Sequence, residues 1–337
     1  METRVDAGLS VKIDRIVARR TAPVPGLAIV VIKNGRIVHL AGYGSADLET
    51  ATPITPQTQF HMASCGKQFT ALGIMMLKDG GKLGFDDHIG KHIPELAGYP
   101  AGVTIRRLLH HLSGIADLYD TRLERKLLAL ARHPANRHVV KLYAELGCPM
   151  GRTAGRFSYS NTGYDLLGSV IERASGETYR DFLRARLFGL LGMADTFSLP
   201  AAARLARRQC AIGYEKKRGR HIAQGEHQLD GICGAGSIYS TVADLSVYEA
   251  AFSAGRLVSE ATMRAALRSG ERDDGRATGY GFGWSVTPDF IEHSGGWTGF
   301  SAHIRRYRRR RLSIYVLSNS DAIDPKRTVV SAARAFW

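Results

Sequence analysis

What most constrains this chain is the placement of its strand-like segments, which lie towards both ends with helical periodicity between them. Pro25-Gly26 leads into Leu27-Ala28-Ile29-Val30-Val31-Ile32, followed by Lys33-Asn34-Gly35-Arg36 and Ile37-Val38-His39-Leu40. This is the pattern of a hairpin, with an Asn-Gly pair able to take positive φ at the turn. Short β-like stretches return after Gly281-Phe282-Gly283-Trp284-Ser285-Val286, among them Phe300-Ser301-Ala302-His303-Ile304 and Leu312-Ser313-Ile314-Tyr315-Val316-Leu317. Between them, residues 64–77 repeat apolar side chains at helical spacing until Asp79-Gly80-Gly81 stops the run. Residues 105–200 alternate helical patterns, such as 105–111 and 136–146, with breaks such as Gly147-Cys148-Pro149-Met150-Gly151. Residues 328–337 read as an amphipathic helix. One sheet completed by the C-terminal segment follows. The expected fold class is α/β of the α+β type: an antiparallel β-sheet flanked by N- and C-terminal helices, with a mostly helical insertion domain. The expected domains are 1–60 plus 240–337 for the sheet and 61–239 for the helices, with an active site at their interface.

Composition narrows the function classes. The 337 residues are 44% hydrophobic and 23% charged, ordinary for a folded globular chain and unlike a disordered, collagen-like or coiled-coil one. The longest apolar runs, residues 26–32 and 71–77, fall far short of the roughly 18 residues of a membrane span, so none is expected. Residues 1–20 mix charges and lack a secretory pattern, so cytoplasmic residence is the expectation, or the periplasm if a precursor was trimmed. Cys65, Cys148, Cys210 and Cys233 are widely spaced and form no C-x-x-C pair, which predicts free thiols. The net charge of +15 implies non-specific attraction to polyanions. Its densest run, Arg305-Arg306-Tyr307-Arg308-Arg309-Arg310-Arg311, predicts a solvated hairpin rim, the alternative being recognition of an acidic surface. No zinc finger, RNA-binding signature or basic heptad accompanies it, so no specific nucleic-acid partner is expected.

Three short segments carry candidate chemistry. Ser64-Cys65-Gly66-Lys67 opens the buried helix, with the lysine one turn beyond the serine and on its face. Serine needs a nearby base to act as a nucleophile, and a lysine serves when burial lowers its pKa. The helix N-terminus adds positive potential where an oxyanion would form. Tyr159-Ser160-Asn161 offers a phenol whose pKa a nearby ammonium would lower, and an amide that could hold both the lysine and a substrate. His293-Ser294-Gly295-Gly296 sits at a strand edge where glycines admit a substrate backbone and an N–H could complete an oxyanion hole with that of Ser64. Each motif alone is weak. Lys33-Asn34-Gly35, Lys78-Asp79-Gly80 and His88-Ile89-Gly90 fit a cation-x-Gly template equally well, and read as a hairpin turn, a helix stop and a loop.

In the order Ser-x-x-Lys, Tyr-x-Asn, His-x-Gly, the chain resembles the serine β-lactamase-like and penicillin-binding-protein-like hydrolases. Leu108-Leu109-His110-His111-Leu112-Ser113-Gly114, Gly236-Ser237-Ile238-Tyr239-Ser240-Thr241 and Tyr280-Gly281-Phe282-Gly283-Trp284 extend the resemblance over about residues 24–320, closest to the class C β-lactamase branch with its esterases and DD-peptidases. The resemblance implies a β-lactamase/transpeptidase-like fold, Ser64 as acylated nucleophile, Lys67 as proton acceptor and Tyr159 as general base and then acid. It also implies Asn161 as the residue orienting Lys67 and substrate, His293 as a donor to Tyr159 or to an anionic group, and the Ser64 and Gly296 N–H groups as the oxyanion hole, with Gly295 beside them. No cofactor and no metal is expected.

Histidine stands at 293 where many class C enzymes have lysine, and Gly296-Trp297 follows where carboxylate binders often offer a hydroxyl. Both departures favour a small ester or neutral amide over an antibiotic. A carboxylesterase is therefore expected first, a D-amino-acid peptidase, DD-peptidase or amidase second, and a β-lactamase third. A catalytically idle relative that binds peptidoglycan fragments or an acidic partner is the non-enzyme alternative. Asp86-Asp87-His88 with His92 lacks the paired glutamate of a metal site, His110-His111 reads as structural, and Cys65 reads as a buried inert thiol.

Overall fold

The computed structural model describes residues 7–18, 24–151, 155–198 and 209–337. Residues 1–6 and 19–20 of the charge-mixed amino-terminal stretch lie outside the described residues.

The two ends of the chain meet in one six-stranded antiparallel sheet. Its strands are β1 (Leu27–Lys33), β2 (Arg36–Tyr43), β3 (Ser285–Val286), β4 (Phe290–Trp297), β5 (Phe300–Tyr307) and β6 (Leu312–Ser318), in the spatial order β3-β4-β5-β6-β1-β2. Asn34 and Gly35 take φ of 52° and 75°, the doubly positive turn that an Asn-Gly pair tolerates, and so join β1 to β2. The closing contact is β1 on β6, in register from Leu27 opposite Ser318 to Lys33 opposite Leu312. Being central, β1 is apolar on both faces. Leu27, Ile29 and Val31 pack with Ile314 and Val316 against α1 (Ala7–Ala18) and α5 (Pro325–Ala333), through Ile13, Val17, Val329 and Ala332. Ala28, Val30 and Ile32 face the larger core, shared with Tyr315 and Leu317.

That core is built on α2 (Lys67–Asp79), α3 (Asn161–Ser175) and α4 (Val242–Ser253). The Ser160 hydroxyl caps α3 by accepting from the Gly163 N–H at 3.1 Å, and Gly176 ends the helix at φ 75°. The middle of the chain is not helical throughout. Residues 60–61, 197–198 and 238–240 form a small antiparallel sheet, and 213–217 pairs with 220–224 as a hairpin. His88 is the N-cap of the short helix Ile89–His92, so His88-Ile89-Gly90 is a helix start and not the expected loop. Among the described residues no helix is long and apolar enough to cross a membrane, and the four cysteines are free.

A single side chain stitches the sheet to its surroundings. The buried Asn319 carboxamide oxygen accepts from the Gly26 N–H at 2.8 Å, and its nitrogen donates to the carbonyls of Ser45, Ala46 and Ile212 at 2.9–3.2 Å.

The arginine run corrects one expectation. Arg308, Arg309, Arg310 and Arg311 are exposed at the β5–β6 turn, but Arg305 and Arg306 belong to β5 and are 7% and 3% exposed. The Arg306 Nε donates to Glu249 Oε2 of α4 at 2.6 Å, and its guanidinium lies 4.0 Å from the ring centre of Phe252 and 4.5 Å from that of Trp284. A planar cation can be buried where a carboxylate takes its charge and aromatic faces take its plane. Removing one partner leaves the other charge stranded. Arg306→Met should therefore cost about 3–5 kcal/mol in urea unfolding, and adding Glu249→Leu should restore most of it.

Candidate active site

The candidate site lies where the start of α2 meets the start of α3 and the edge of β4. Ser64 sits in the 3-10 turn Ala63–Gly66 that leads into α2. Ala63 is held at φ 48°, a left-handed conformation costly for a residue with a Cβ, and its N–H donates to the His61 Nδ1 at 3.0 Å. The turn thereby presents Ser64 outward while Lys67 points in.

Lys67 is fully buried, and its Nζ has three partners: Ser64 Oγ at 3.1 Å, Asn161 Oδ1 at 2.7 Å and the Ala235 carbonyl at 2.8 Å. Burial pushes its pKa well below the usual lysine range, against the opposing pull of the Asp165 and Asp117 carboxylates. The partners decide what a neutral amine would do. Two of them are carbonyl oxygens, which only accept, and the third is a hydroxyl. A neutral Lys67 would spend its two N–H groups on Asn161 and Ala235 and aim its lone pair at the Ser64 proton. Asn161, the first residue of α3, is itself fixed, since Asp117 Oδ2 accepts from its N–H at 3.0 Å.

Tyr159 departs from expectation. The Lys67 Nζ lies over its ring, 4.9 Å from the centre. Burial raises the phenol pKa, only partly offset by the nearby Ser64 hydroxyl, although the residue is 40% exposed. Burial thus keeps the phenol protonated beside the ammonium. Beneath it lies His111, ring centres 4.3 Å apart, held by the Ser160 N–H donating to Nδ1 at 3.1 Å. His111 was legible only as a structural histidine, because its neighbour Tyr159 is distant in sequence.

His293 is the second departure. Its Nδ1 is 2.6 Å from the Ser294 carbonyl, an obligate acceptor, so Nδ1 carries the proton. Nε2 then accepts from the Tyr280 hydroxyl at 2.9 Å. Burial, aided by the nearby Lys67 charge, pushes the pKa of His293 down to about 3. The ring is neutral with both nitrogens engaged, so it has no proton left to donate to Tyr159 or to an anionic group, contrary to expectation.

Gly295 and Gly296 lie on the same strand. Beyond Ile291 and Glu292, which pair with β3, the outer edge of β4 has no strand partner among the described residues. A Cβ on Gly295 would come within 2.4 Å of the Met62 carbonyl oxygen and 3.0 Å of the Ser64 nitrogen, so the bare backbone is what lets the strand edge reach the Ser64 turn. Gly296 has no such neighbour and opens onto space. Two clefts meet at Ser64 and Gly296. One is walled by Tyr119, Asn161, Asp230 and Trp297, and the other by Phe157, Tyr159, Glu292, Ser294 and Lys326. Tyr119 and Asp230 belong to no motif and were not singled out in the sequence.

A family model described as Beta-lactamase matches residues 13–335. Penicillin-binding protein 4* of Bacillus subtilis (strain 168) is 30% identical over 318 residues, which cover 87% of this chain and 68% of that protein. Protein flp of Staphylococcus aureus (strain NCTC 8325 / PS 47) is 28% identical over 309 residues, covering 88% of this chain and 60% of that protein. This chain thus spans about two thirds or less of the length of these curated relatives. Among solved structures, the octameric penicillin-binding protein homologue from Pyrococcus abyssi superposes with a TM-score of 0.82 at 28% identity, covering 98% of this chain and 77% of that one.

The Gly295 contact yields a prediction. Gly295→Ala must displace the Ser64 turn, and a shift of about 1 Å at such a site costs roughly 10²-fold. Labelling of Ser64 by a fluorophosphonate should slow by about that factor with the circular dichroism spectrum unchanged.

Proposed function

The chain belongs to the beta-lactamase family of serine hydrolases, and from that premise we propose that it hydrolyses small carboxylic esters through an acyl-enzyme on Ser64. The observation that carries the ester reading is His293. Where the resemblance would place a cation for a substrate carboxylate, this chain holds a neutral ring with both nitrogens engaged. A neutral substrate loses nothing by its absence.

In this reading the neutral Lys67 amine takes the Ser64 proton as Oγ attacks the ester carbon. Negative charge on the carbonyl oxygen is met by the N–H groups of Ser64 and Gly296, each such donor being worth about 3 kcal/mol in acyl-transfer enzymes. When the tetrahedral species collapses, the protonated Tyr159 gives its proton to the leaving alcohol and recovers one from the Lys67 ammonium. Water then attacks the acyl carbon and the same groups run in reverse, releasing acid and free Ser64. The raised phenol pKa supports acid as the first role of Tyr159 and leaves the first proton abstraction to Lys67.

A second reading, an amidase or a peptidase acting on D-residues, is favoured by the open edge of β4, along which an extended peptide could lie with backbone hydrogen bonds. Side-by-side turnover of p-nitrophenyl acetate and a chromogenic cephalosporin, with Ser64→Ala as blank, separates the readings. Ester turnover alone supports the first; comparable cephalosporin turnover would make this a β-lactamase, and reaction with neither moves the peptidase forward.

Ser64→Ala should abolish turnover while leaving thermal unfolding unchanged, and surviving turnover would remove Ser64 from the mechanism. Tyr159→Phe should lower kcat by at least about 10²-fold. Because the neutral form of Lys67 is the active one and its pKa is depressed, kcat/KM should rise with pH and level off well below the ordinary lysine range, falling as acid protonates the amine. A profile still climbing towards pH 10.5 would exclude a depressed lysine as the base.

A further inference from the structure

A chain of polar contacts beside the cleft takes no part in the proposed reaction. The β4–β5 register sets Ser294 opposite His303 and Glu292 opposite Arg305, and residues two apart on a strand share a face, so all four side chains project from the same side of the sheet. Ser294 Oγ lies 2.8 Å from His303 Nδ1, and His303 Nε2 lies 3.2 Å from Glu292 Oε2. His303 is fully buried, whereas Ser294 is exposed and lines the same cleft as Ser64 and Tyr159. Two cations grip Glu292: the Arg305 Nε donates to Oε2 at 2.6 Å and the Lys326 Nζ to Oε1 at 3.1 Å. Although burial works to raise its pKa, the bonds from His303 and Lys326 and the charge of Arg305 hold Glu292 down to about 2.

An ionised carboxylate only accepts, so the ring nitrogen that faces it must carry the proton. The approach is too bent for a good hydrogen bond, and Nε2 has no hydrogen-bond partner elsewhere, so the carboxylate oxygen 3.2 Å away is the group that decides its protonation. Burial keeps the ring neutral, so Nδ1 is left with a lone pair and the Ser294 hydroxyl must donate to it. With its hydrogen fixed inward, the hydroxyl turns only oxygen lone pairs towards the cleft.

We propose that Ser294 is a specificity-determining residue, a hydroxyl locked by His303 and Glu292 into accepting hydrogen bonds from the substrate, so that the arm lying along the open edge of β4 presents an N–H or O–H donor, such as a carboxamide, in preference to a carboxylate. A carboxylate there would set oxygen lone pairs against oxygen lone pairs. The half-exposed Lys326 ammonium gives one of its three N–H groups to Glu292 and adds a positive charge that Ser294→Ala leaves in place, so the preference set by the hydroxyl is read as the change in ratio between the two proteins.

The kinetic side of this proposal rests on the Ser64 hydrolase reading, and the tautomer does not. The matched probes are 4-carbamoylphenyl acetate and 4-carboxyphenyl acetate, nearly equal in shape, compared by kcat/KM in the unmodified enzyme and in Ser294→Ala. Comparing the two proteins cancels the intrinsic difference between the leaving groups. The carboxamide-to-carboxylate ratio should fall about tenfold in Ser294→Ala, the scale of one well-placed hydrogen bond lost. His303→Asn, whose amide can donate to Ser294 and free the hydroxyl hydrogen, should lower the ratio in the same direction. An unchanged ratio in Ser294→Ala, with a native circular dichroism spectrum, would overturn the proposal. Long-range ¹⁵N–¹H NMR of His303 decides the premise without any turnover: a proton on Nε2 supports it and a proton on Nδ1 overturns it. If neither ester is hydrolysed in a Ser64-dependent way, the hydrolase reading fails by itself and the NMR result still stands or falls on its own.

Discussion

The pairing of β1 with β6 is the constraint on which the rest depends. It brings residues near 30 against residues near 315, so everything between them becomes an excursion from one sheet. The excursion leaves from β2 and returns at β3, on the side where the outer edge of β4 stays open. Ser64, Asn161 and Gly296, far apart in sequence, are thereby set around one point. The apolar content of β1 is both the reason the pairing is stable and the reason it is specific, since a one-residue slip would carry Leu27, Ile29 and Val31 away from the terminal helices.

Within that frame the site is governed by which atoms carry hydrogens. Obligate acceptors fix the protons around them: the carbonyls of Asn161 and Ala235 around Lys67, the Ser294 carbonyl at His293 and the Glu292 carboxylate at His303. Desolvation then keeps the histidines neutral and lowers the lysine. A buried amine with two acceptor partners and one hydroxyl partner has a single place to direct a lone pair. The electrostatics thus follow from backbone positions more than from the net charge of the chain.

How much of this could be read in the sequence depended on the range of the cause. The hairpin was legible because Asn34-Gly35 sets its turn locally, and the sheet closure because β-like apolar stretches recur at both ends. The Ser64–Lys67 contact was legible because helical spacing links residues three apart. Arg306 was misread because its partner Glu249 lies 57 residues away, on a helix that alternation in β5 cannot reveal. His293 was misread because its proton is placed by the carbonyl of the residue beside it, a matter of backbone angle. Tyr159 was misread because the burial that raises its phenol pKa comes from packing that a three-residue motif does not encode. His111 and Tyr119 enter the site through contacts that no spacing encodes.

The Asn319 bond to Gly26 spans 293 residues and has a consequence for synthesis. The β1–β2 hairpin leaves the ribosome well before β6 and Asn319, which lies 293 residues after Gly26. Until they emerge, one edge of an almost wholly apolar strand has nothing to pair with, and such an edge is a template for the wrong neighbour. The same closure that gathers the site therefore makes the nascent chain dependent on the later arrival of β6. For a time, its most hydrophobic strand is a surface that the cell has to shield.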